Sequence, residues 1–463
     1  MASIQLPIHS YQLRSRPASP SRLVNCYAEA MPADGKTPVL LTRAPGITDW
    51  TTVGSGSIAG MHFALSLLFV VSGSELYKVD SNKTATLLGN IGSPGNIDID
   101  SNKIGVVVVN QPNAYTWTQS TGTFAQITDA DFTSRGAGDV EFLDNFLLFR
   151  EPDTDRFFGA DLGTLDSFDA LNFANADAAP DKLNGMKVDH RQAFLTGAKS
   201  SEIFQNTGAA GFPIERAING FVEQGCLNGK TIAKLDQTVF WLADDYTVRR
   251  LQGLTPIRVS THAIEQAIFD TTVSTASAFT YTQDGHLFYV LSMTEGTFVF
   301  DATTGEWHER QTYGSDNWKI GHHAQGFGFE LVGDATSNKI GYLNAVDYDE
   351  FGSTQRMEWT YQVIYAQGQR AFHDRLEIIV ETGVGLTTGQ GVAPLVMLEY
   401  SDDGGSTWTS MPDRSLGALG KREERVVWHN LGSSRQRVYR AAVSDPIKMT
   451  ITDTQLEVRG GRL

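Results

Sequence analysis

The chain is short of several things, and each shortage removes a class of explanation. Only two cysteines, Cys26 and Cys226, occur in 463 residues, and two thiols so far apart read as buried side chains, not as a disulfide framework. Helical periodicity is scarce: 163–173, 262–269 and 139–143 look helical, and all are short. No apolar run is long enough to cross a bilayer, and the opening MASIQLPIHSYQLRS lacks the basic head and apolar stretch of a secretory signal. The expectation is a soluble protein made in a cytosol, without direct membrane insertion. Positive charge is also short, with 37 Lys and Arg against 53 Asp and Glu and a formal net charge of -16. Wrapping nucleic acid by neutralising phosphates needs clustered cations, so tight DNA binding is not expected. An acidic wall past which DNA slides is compatible with this charge. The local group Lys421, Arg422, Arg425, Arg435, Arg437 and Arg440 reads as polar strand faces or a subunit contact.

Chemistry is equally sparse. His322 and His323 are neighbours on a strand-like run and point to opposite faces, so they do not ligate one metal. Asp98 and Asp100 share a face but lack further acidic ligands, and read as a solvated edge before a calcium site. Gly229-Lys230-Thr231 lacks the earlier glycine of a phosphate-binding loop. No Ser, His and Asp arrangement is visible. No catalytic, cofactor-binding or metal-ligating residue is assigned, and no cofactor is expected.

What is there is rhythm. Seven hairpins, each an apolar run, a polar turn and a second run, begin at Leu68, Ile104, Phe146, Arg191, Gln237, His286 and Gly328. The steps of 36, 42, 45, 46, 49 and 42 residues fall in the range of one four-stranded blade. Val, Ile, Phe and Tyr fill the runs and suit a pleated surface, while Gly, Asn, Asp and Pro fill the turns. Ser81-Asn82-Lys83, Ser101-Asn102-Lys103 and Ser337-Asn338-Lys339 suggest reuse of one turn chemistry. In the turn from Asp301 to Trp307, Asp301 begins the reversal, Gly305 supplies a positive φ and Trp307 returns to the blade core.

The predicted fold is all-β: a six- to seven-bladed β-propeller at 56–348, a C-terminal β-sandwich-like domain at 349–463, and an irregular N-terminal arm at 1–55 with one strand able to join another element. The arm is broken by Pro7, Pro17, Pro20, Pro32, Pro38 and Pro45. The C-terminal strands are expected at 358–366, 375–382, 394–401, 425–431, 436–443 and 448–458, with period-two alternation clearest in the second and last.

The strongest local motif is Ser401-Asp402-Asp403-Gly404-Gly405-Ser406-Thr407-Trp408, which resembles the Asp box of sialidases and other propeller proteins. Its mechanics are structural, a carboxylate accepting backbone N–H groups across a glycine turn with the Trp packed on the hairpin. Arg43-Ala44-Pro45 superficially resembles a sialidase element. Such an enzyme needs three arginines to clamp a carboxylate, a Tyr–Glu nucleophile and an Asp acid; Arg43, Arg150, Arg191, Tyr365 and Asp153 are nameable, but no spacing selects them.

The whole arrangement resembles the packaged-DNA stabilization proteins, or tail nozzles, of short-tailed bacteriophages. The residues that carry the likeness are Asn25-Cys26-Tyr27-Ala28-Glu29, Arg43-Ala44-Pro45-Gly46-Ile47-Thr48, Gly197-Ala198-Lys199-Ser200-Ser201-Glu202-Ile203-Phe204, Gly225-Cys226 and Phe240-Trp241-Leu242. They continue through Leu398-Glu399-Tyr400-Ser401-Asp402-Asp403-Gly404, Arg425-Val426-Val427-Trp428, Leu431-Gly432, Pro446-Ile447 and Leu456-Glu457-Val458. The resemblance implies a non-enzymatic virion protein assembled in the host cytoplasm, a homohexameric nozzle ring below the portal and tail adaptor. That ring would meet tail spikes or fibres and a tail needle, retain the packaged genome and release it, with DNA passing through without sequence-specific binding. Acidic loops around Asp153, Asp155, Asp347, Asp349 and Glu350, and the arm from Ser3 to Asp49, are the expected contacts. The alternatives are a sialidase-like propeller glycosidase and a glycan-binding host-recognition protein.

Overall fold

A computed structural model describes residues 2–32, 34–365 and 368–461. Among the described residues, seven four-stranded antiparallel units follow one another around an axis: 58–90, 97–126, 140–175, 183–222, 233–258, 277–310 and 320–344. The first six are each built from consecutive strands. The inner strands neighbour one another in sequence order and the seventh returns to the first, so the ring is closed with seven blades.

The hairpins legible in the sequence are the second and third strands of the blades, which are the most buried. Gly105–Asn110 and Phe146–Arg150 are buried at every position. Six blades join their first and second strands through two successive residues at positive φ: Leu65-Ser66, Asp144-Asn145, His190-Arg191, Asp236-Gln237, Asp284-Gly285 and Phe327-Gly328. This is the two-residue reversal whose twist matches that of the flanking strands. In the second blade Asn102 does the work through its side chain, accepting from Ile104 N at 2.9 Å and Gly105 N at 3.2 Å. The three Ser-Asn-Lys sequences occupy three different turns within their blades, so their recurrence is not an equivalence between blades. The turn at Asp301 is as expected: Asp301 accepts from Thr303 N at 2.9 Å, Gly305 has φ 78°, and buried Trp307 donates to Val259 O at 2.9 Å in the preceding blade.

Of the three helical readings, only His262–Phe269 is a helix. Residues 139–143 form the inner strand Val140–Leu143, and 163–173 runs into the outer strand Phe168–Asn175. In the latter, a bulge opposite Phe158 to Ala160 breaks the two-residue alternation that would have marked a strand.

The N-terminal segment supplies strands to both halves of the molecule: β1 (Pro20–Val24), β2 (Cys26–Ala30), β3 (Val39–Arg43) and β4 (Gly46–Thr52). Its prolines punctuate these strands instead of preventing them. Pro20 is the first residue of β1, and Pro38 and Pro45 lie just before β3 and β4, where a missing N–H is tolerated. Strand β4 is the fourth strand of the seventh blade, paired antiparallel with Lys339–Asn344, and Asp349–Glu350 pairs on its outer side.

The C-terminal strands are β5 (Met357–Thr360), β6 (Ala371–Val380), β7 (Leu395–Ser401), β8 (Thr409–Ser415), β9 (Val426–His429), β10 (Gln436–Val443) and β11 (Thr450–Gly460). The stretch 358–366 appears as β5 and Ile364–Tyr365, its last residue lying outside the described residues. β8 was not anticipated, because an exposed edge strand carrying Pro412 has no buried face to produce alternation. One sheet runs β2-β3-β11-β6-β9 and the other β1-β5-β10-β7-β8. Between them Trp359, Leu376, Trp428, Tyr439 and Ile451 are completely covered, each worth about 2–3 kcal/mol of apolar burial. The second sheet continues through β1 into the outer strand of the sixth blade, where Val24 pairs in parallel with Glu309. Propeller and sandwich therefore share one hydrogen-bonded sheet.

Candidate functional site

The residues that looked distinctive in the sequence meet in three places, and in each their work is to hold segments together. The first is the junction of propeller and sandwich. Asn25 sits at φ 52°, a left-handed conformation that Asn tolerates better than most residues. Its Nδ2 donates to Gln311 O at 2.9 Å and Arg356 O at 2.8 Å, and its Oδ1 accepts from Gln311 N at 3.1 Å. One side chain thus ties the end of the sixth blade to the approach to β5. Arg43, 2% exposed, donates to Gln355 Oε1 at 3.3 Å, Tyr348 O at 3.2 Å and Ile447 O at 3.1 Å, and to the carbonyls of Asp445 and Gln355. Burial lowers its pKa to about 10, against the pull of Tyr348 and Asp445.

The second place is the contact of the fourth and fifth blades. Cys226 N donates to Gly197 O at 2.9 Å, and buried Trp241 donates to Gly225 O at 3.1 Å. A Cβ on Gly225 would stand 2.4 Å from the backbone of Ala198 and Lys199, so glycine is required there by close approach. Cys26 and Cys226 are both free and buried. Gly229-Lys230-Thr231 forms a single 3₁₀ turn in the same region. Asn228 Oδ1 takes the Lys230 N–H at 3.0 Å and Asn228 O takes the Thr231 N–H at 2.9 Å, so two of the donors a phosphate would need are used internally.

The third is the Asp box. Asp403 accepts from Ser401 Oγ at 2.6 Å, Ser406 N at 2.9 Å and Thr407 N at 2.9 Å, and these bonds hold its carboxyl far below the usual range. Arg437 clamps Asp402 through contacts of 2.6 and 2.8 Å and lies 4.0 Å from the centre of the Tyr400 ring. Arg440 covers Trp408 at 4.1 Å and pairs with Glu399 at 2.5 Å, while Arg425 pairs with Glu377 at 2.9 Å. Half of the basic group is therefore committed to strand faces.

The propeller axis carries a charged ladder that the sequence reading missed. Asp98 accepts from Val140 N at 2.9 Å, Asp100 from Phe142 N at 2.7 Å, and Glu141 from Val188 N at 3.0 Å. Each carboxylate thus bonds the backbone of the next blade's inner strand, which has no ladder partner on that side. Asp98 and Asp100 are therefore not a solvated edge. Lys187 extends the pattern by donating to Glu141 of the preceding blade. Burial disfavours its ammonium, but Glu141, Asp98 and Asp100 outweigh that and hold its pKa above the ordinary lysine value. Burial, reinforced by Asp139 and Asp100 and opposed by Lys187, pushes the Asp98 carboxyl up to about 6. His322 also faces the axis, and burial, helped by Lys230, lowers its pKa to about 4. His323 points away and bonds Glu330 at 2.6 Å, as adjacent strand residues must diverge. The space at this end of the axis is about 220 Å³. Among the described residues, no group of three or more His, Cys, Asp or Glu could hold a metal ion. The signal that could have found the ladder is spacing: its bonds link residues 42 to 47 positions apart, one blade period.

Two family models match this architecture in order, a bacteriophage P22 Gp10 β-propeller over residues 15–347 and a bacteriophage P22 Gp10 β-sandwich over residues 356–459. The chain belongs to the bacteriophage P22 Gp10 family. It is a phage structural protein, a component of the virion, of the packaged-DNA stabilization and tail nozzle family. No curated protein matches it. Similar solved structures include the Pan2 WD40 domain of Neurospora crassa, at 11% identity over 66% of this chain and 98% of that one with a TM-score of 0.44. The computationally designed Ika8 protein is 12% identical over 64% of this chain and 100% of its own, with a TM-score of 0.41.

In this Gp10-family chain the residues nameable for a sialidase are not brought together. Arg43 is sealed in the domain junction, Arg150 is buried against Asp139 at 2.5 Å and Leu183 O at 3.2 Å, and Arg191 pairs with Asp144 at 2.8 Å on the turn face. Tyr365 is exposed on the sandwich, and Asp153 is exposed on a loop of the third blade. Among the expected acidic contacts, Glu350 is buried and accepts from Trp318 Nε1 at 2.8 Å, Asp347 bonds Thr48 inside the seventh-blade turn, and Asp349 accepts from Gly352 N at 3.0 Å. Asp153 and Asp155 keep the looser loop setting. The arm is tied down: Ile4 N donates to Thr454 O at 2.8 Å, Leu6 joins the sandwich core and Ser10 N donates to Trp307 O at 2.7 Å.

Proposed function

We propose that this protein is a tail nozzle subunit, a member of a homohexameric ring below the portal and adaptor that retains the packaged genome and lets it out on infection. The observation that carries the proposal is the Gp10-family match over both propeller and sandwich, in one chain and in order. The physical character of the chain agrees with it. The ring of blades is closed by its own N-terminal strand, and the sandwich is continuous with the sixth blade. At one end of the propeller axis the charged ladder borders a space of about 220 Å³, too small for a duplex. On this reading the DNA conduit is walled by several copies and does not run through one propeller. The acidic composition suits such a wall, since it offers few cations to arrest sliding phosphates. The proposed partners are the adaptor, tail spikes or fibres, and a tail needle.

Antibody-gold labelling of intact phage carrying this chain, viewed by negative-stain electron microscopy, tests the reading. Label at the distal axis of a short tail supports it. Label on peripheral spikes, or on no part of the particle, refutes it and brings the glycan-binding and glycosidase readings forward.

A further inference from the structure

The net charge is distributed unevenly. Residues 56–348 hold 19 Lys and Arg against 35 Asp and Glu, whereas the remainder of the chain holds 18 of each. Two propellers brought face to face repel, and a lateral contact is better made by the neutral sandwich.

The sandwich has a surface suited to it. The loops at 383–394 and 416–421 are joined by Leu416 N donating to Pro394 O at 2.9 Å and Gly420 N donating to Gly383 O at 3.0 Å. Together they expose Leu386, Val392, Leu395 and Leu419, the last at 58%. Lys421 and Arg422 border this patch, exposed and without an ion-pair partner among the described residues. Glu423 and Glu424 follow them, and Arg425 turns back to Glu377.

A matching surface lies on the third blade. Residues 151–181 contain eight carboxylates and one cation, Arg156. In the bulged outer strand, Asn172 Nδ2 donates to Asp161 at 3.1 Å, which sets Leu171, 77% exposed, near Leu162, 63% exposed. Asp166 and Asp169 are exposed nearby with no cation within ion-pair distance among the described residues. The sandwich is attached at the sixth blade, and the third is three steps away, the maximum in a ring of seven. The two surfaces belong to different domains and are not the same patch, so a contact between them is head-to-tail.

We infer that the Leu386–Leu419 patch of one copy docks on the Leu162–Leu171 rim of the next, with Lys421 and Arg422 facing the aspartates of the third blade. The occupant is a second copy of this chain, and the inference rests on the ring reading above. It is tested with two full-length variants, Leu419→Cys and Leu171→Cys, mixed, assayed for size by light scattering and then oxidised. Buried Cys226, its pKa pushed up to about 11 by burial, and buried Cys26 do not compete.

The expected result is an oligomer in which the mixture cross-links and neither variant does so alone. In a second measurement, Lys421→Glu with Arg422→Glu weakens association by about tenfold, and Asp166→Lys with Asp169→Lys on the partner copy restores it. An oligomer without cross-links and indifferent to charge reversal overturns this contact while leaving the ring intact. Cross-linking of Leu419→Cys with itself overturns it in favour of a symmetric sandwich contact. A chain that stays monomeric at every concentration overturns it as a self-association surface, and the gold labelling then decides the tail reading separately.

Discussion

Arg43 is the side chain whose removal most directly tests how the two halves are held. Its guanidinium is buried, has no carboxylate within ion-pair distance among the described residues, and is satisfied by oxygens of Tyr348, Gln355, Asp445 and Ile447. Arg43→Ala leaves those acceptors dry in a closed junction. A buried acceptor without its donor costs about 1–3 kcal/mol, but neighbouring losses are not additive, so the expected total is about 3–5 kcal/mol. For a cooperative unit of 150–250 residues each kcal/mol shifts the midpoint by about 2–4 °C. The loss should therefore appear as roughly 10 °C by calorimetry, as an early transition of the sandwich that separates from the propeller. Amide exchange should accelerate around 25–27, 348–356 and 445–449 and not in the second or third blade. Arg43→Lys, which keeps the charge but not the fork, should recover little of the loss. A variant whose single transition moves by under 2 °C, with unchanged exchange at the junction, would refute the reasoning.

Three further outcomes are expected. Lys187→Met leaves Glu141, Asp98 and Asp100 without their shared cation and should cost about 3–5 kcal/mol at pH 7. Glu141 and Asp98 then titrate above their unfolded values, the folded state binds more protons, and the deficit should shrink as the pH falls from 7 to 5; urea titrations showing a deficit independent of pH would count against the axial ladder. Gly46→Ala places a Cβ 2.3 Å from Asp349 O and 2.7 Å from Asp347 O, so it should loosen β4 and the ring closure by about 1–3 kcal/mol, seen as faster exchange in 46–52 and 339–344. Deleting residues 2–20 removes Leu6 and the edge pairings of the sandwich but not β4, so limited proteolysis should release sandwich fragments while the propeller persists; equal resistance of both would be the contrary result.

Much of the fold was legible because blades are local. The second strand of each blade is buried along nearly its whole length and is followed at once by the third, so runs such as Gly105–Asn110 and Phe146–Arg150 stand out without three-dimensional information. Outer strands lack that signal, which is why 163–173 reads as helix although it runs into the strand Phe168–Asn175, and why Thr409–Ser415 leaves no strand pattern. The distinctive residues were legible as a pattern and illegible as roles. Arg43 reads equally as a substrate clamp or a structural arginine until its five acceptors, drawn from positions 348 to 447, surround it. Asp98 and Asp100 read as a solvated edge until the third blade presents its N–H groups to them.

By itself the sequence determined the all-β character, the repeat period, the Asp box hairpin and the family, because each is written in composition, turn chemistry or short-range spacing. Tertiary structure alone decided that the ring has seven blades, that β4 closes it, and that β1 to β3 belong to the sandwich. It also decided that carboxylates of the second and third blades bond one blade ahead at the axis. The physical reason is the same throughout. Strand pairing between positions some 300 residues apart leaves no local mark beyond an apolar run, and a carboxylate acquires its role only from the donors and cations that folding brings to it.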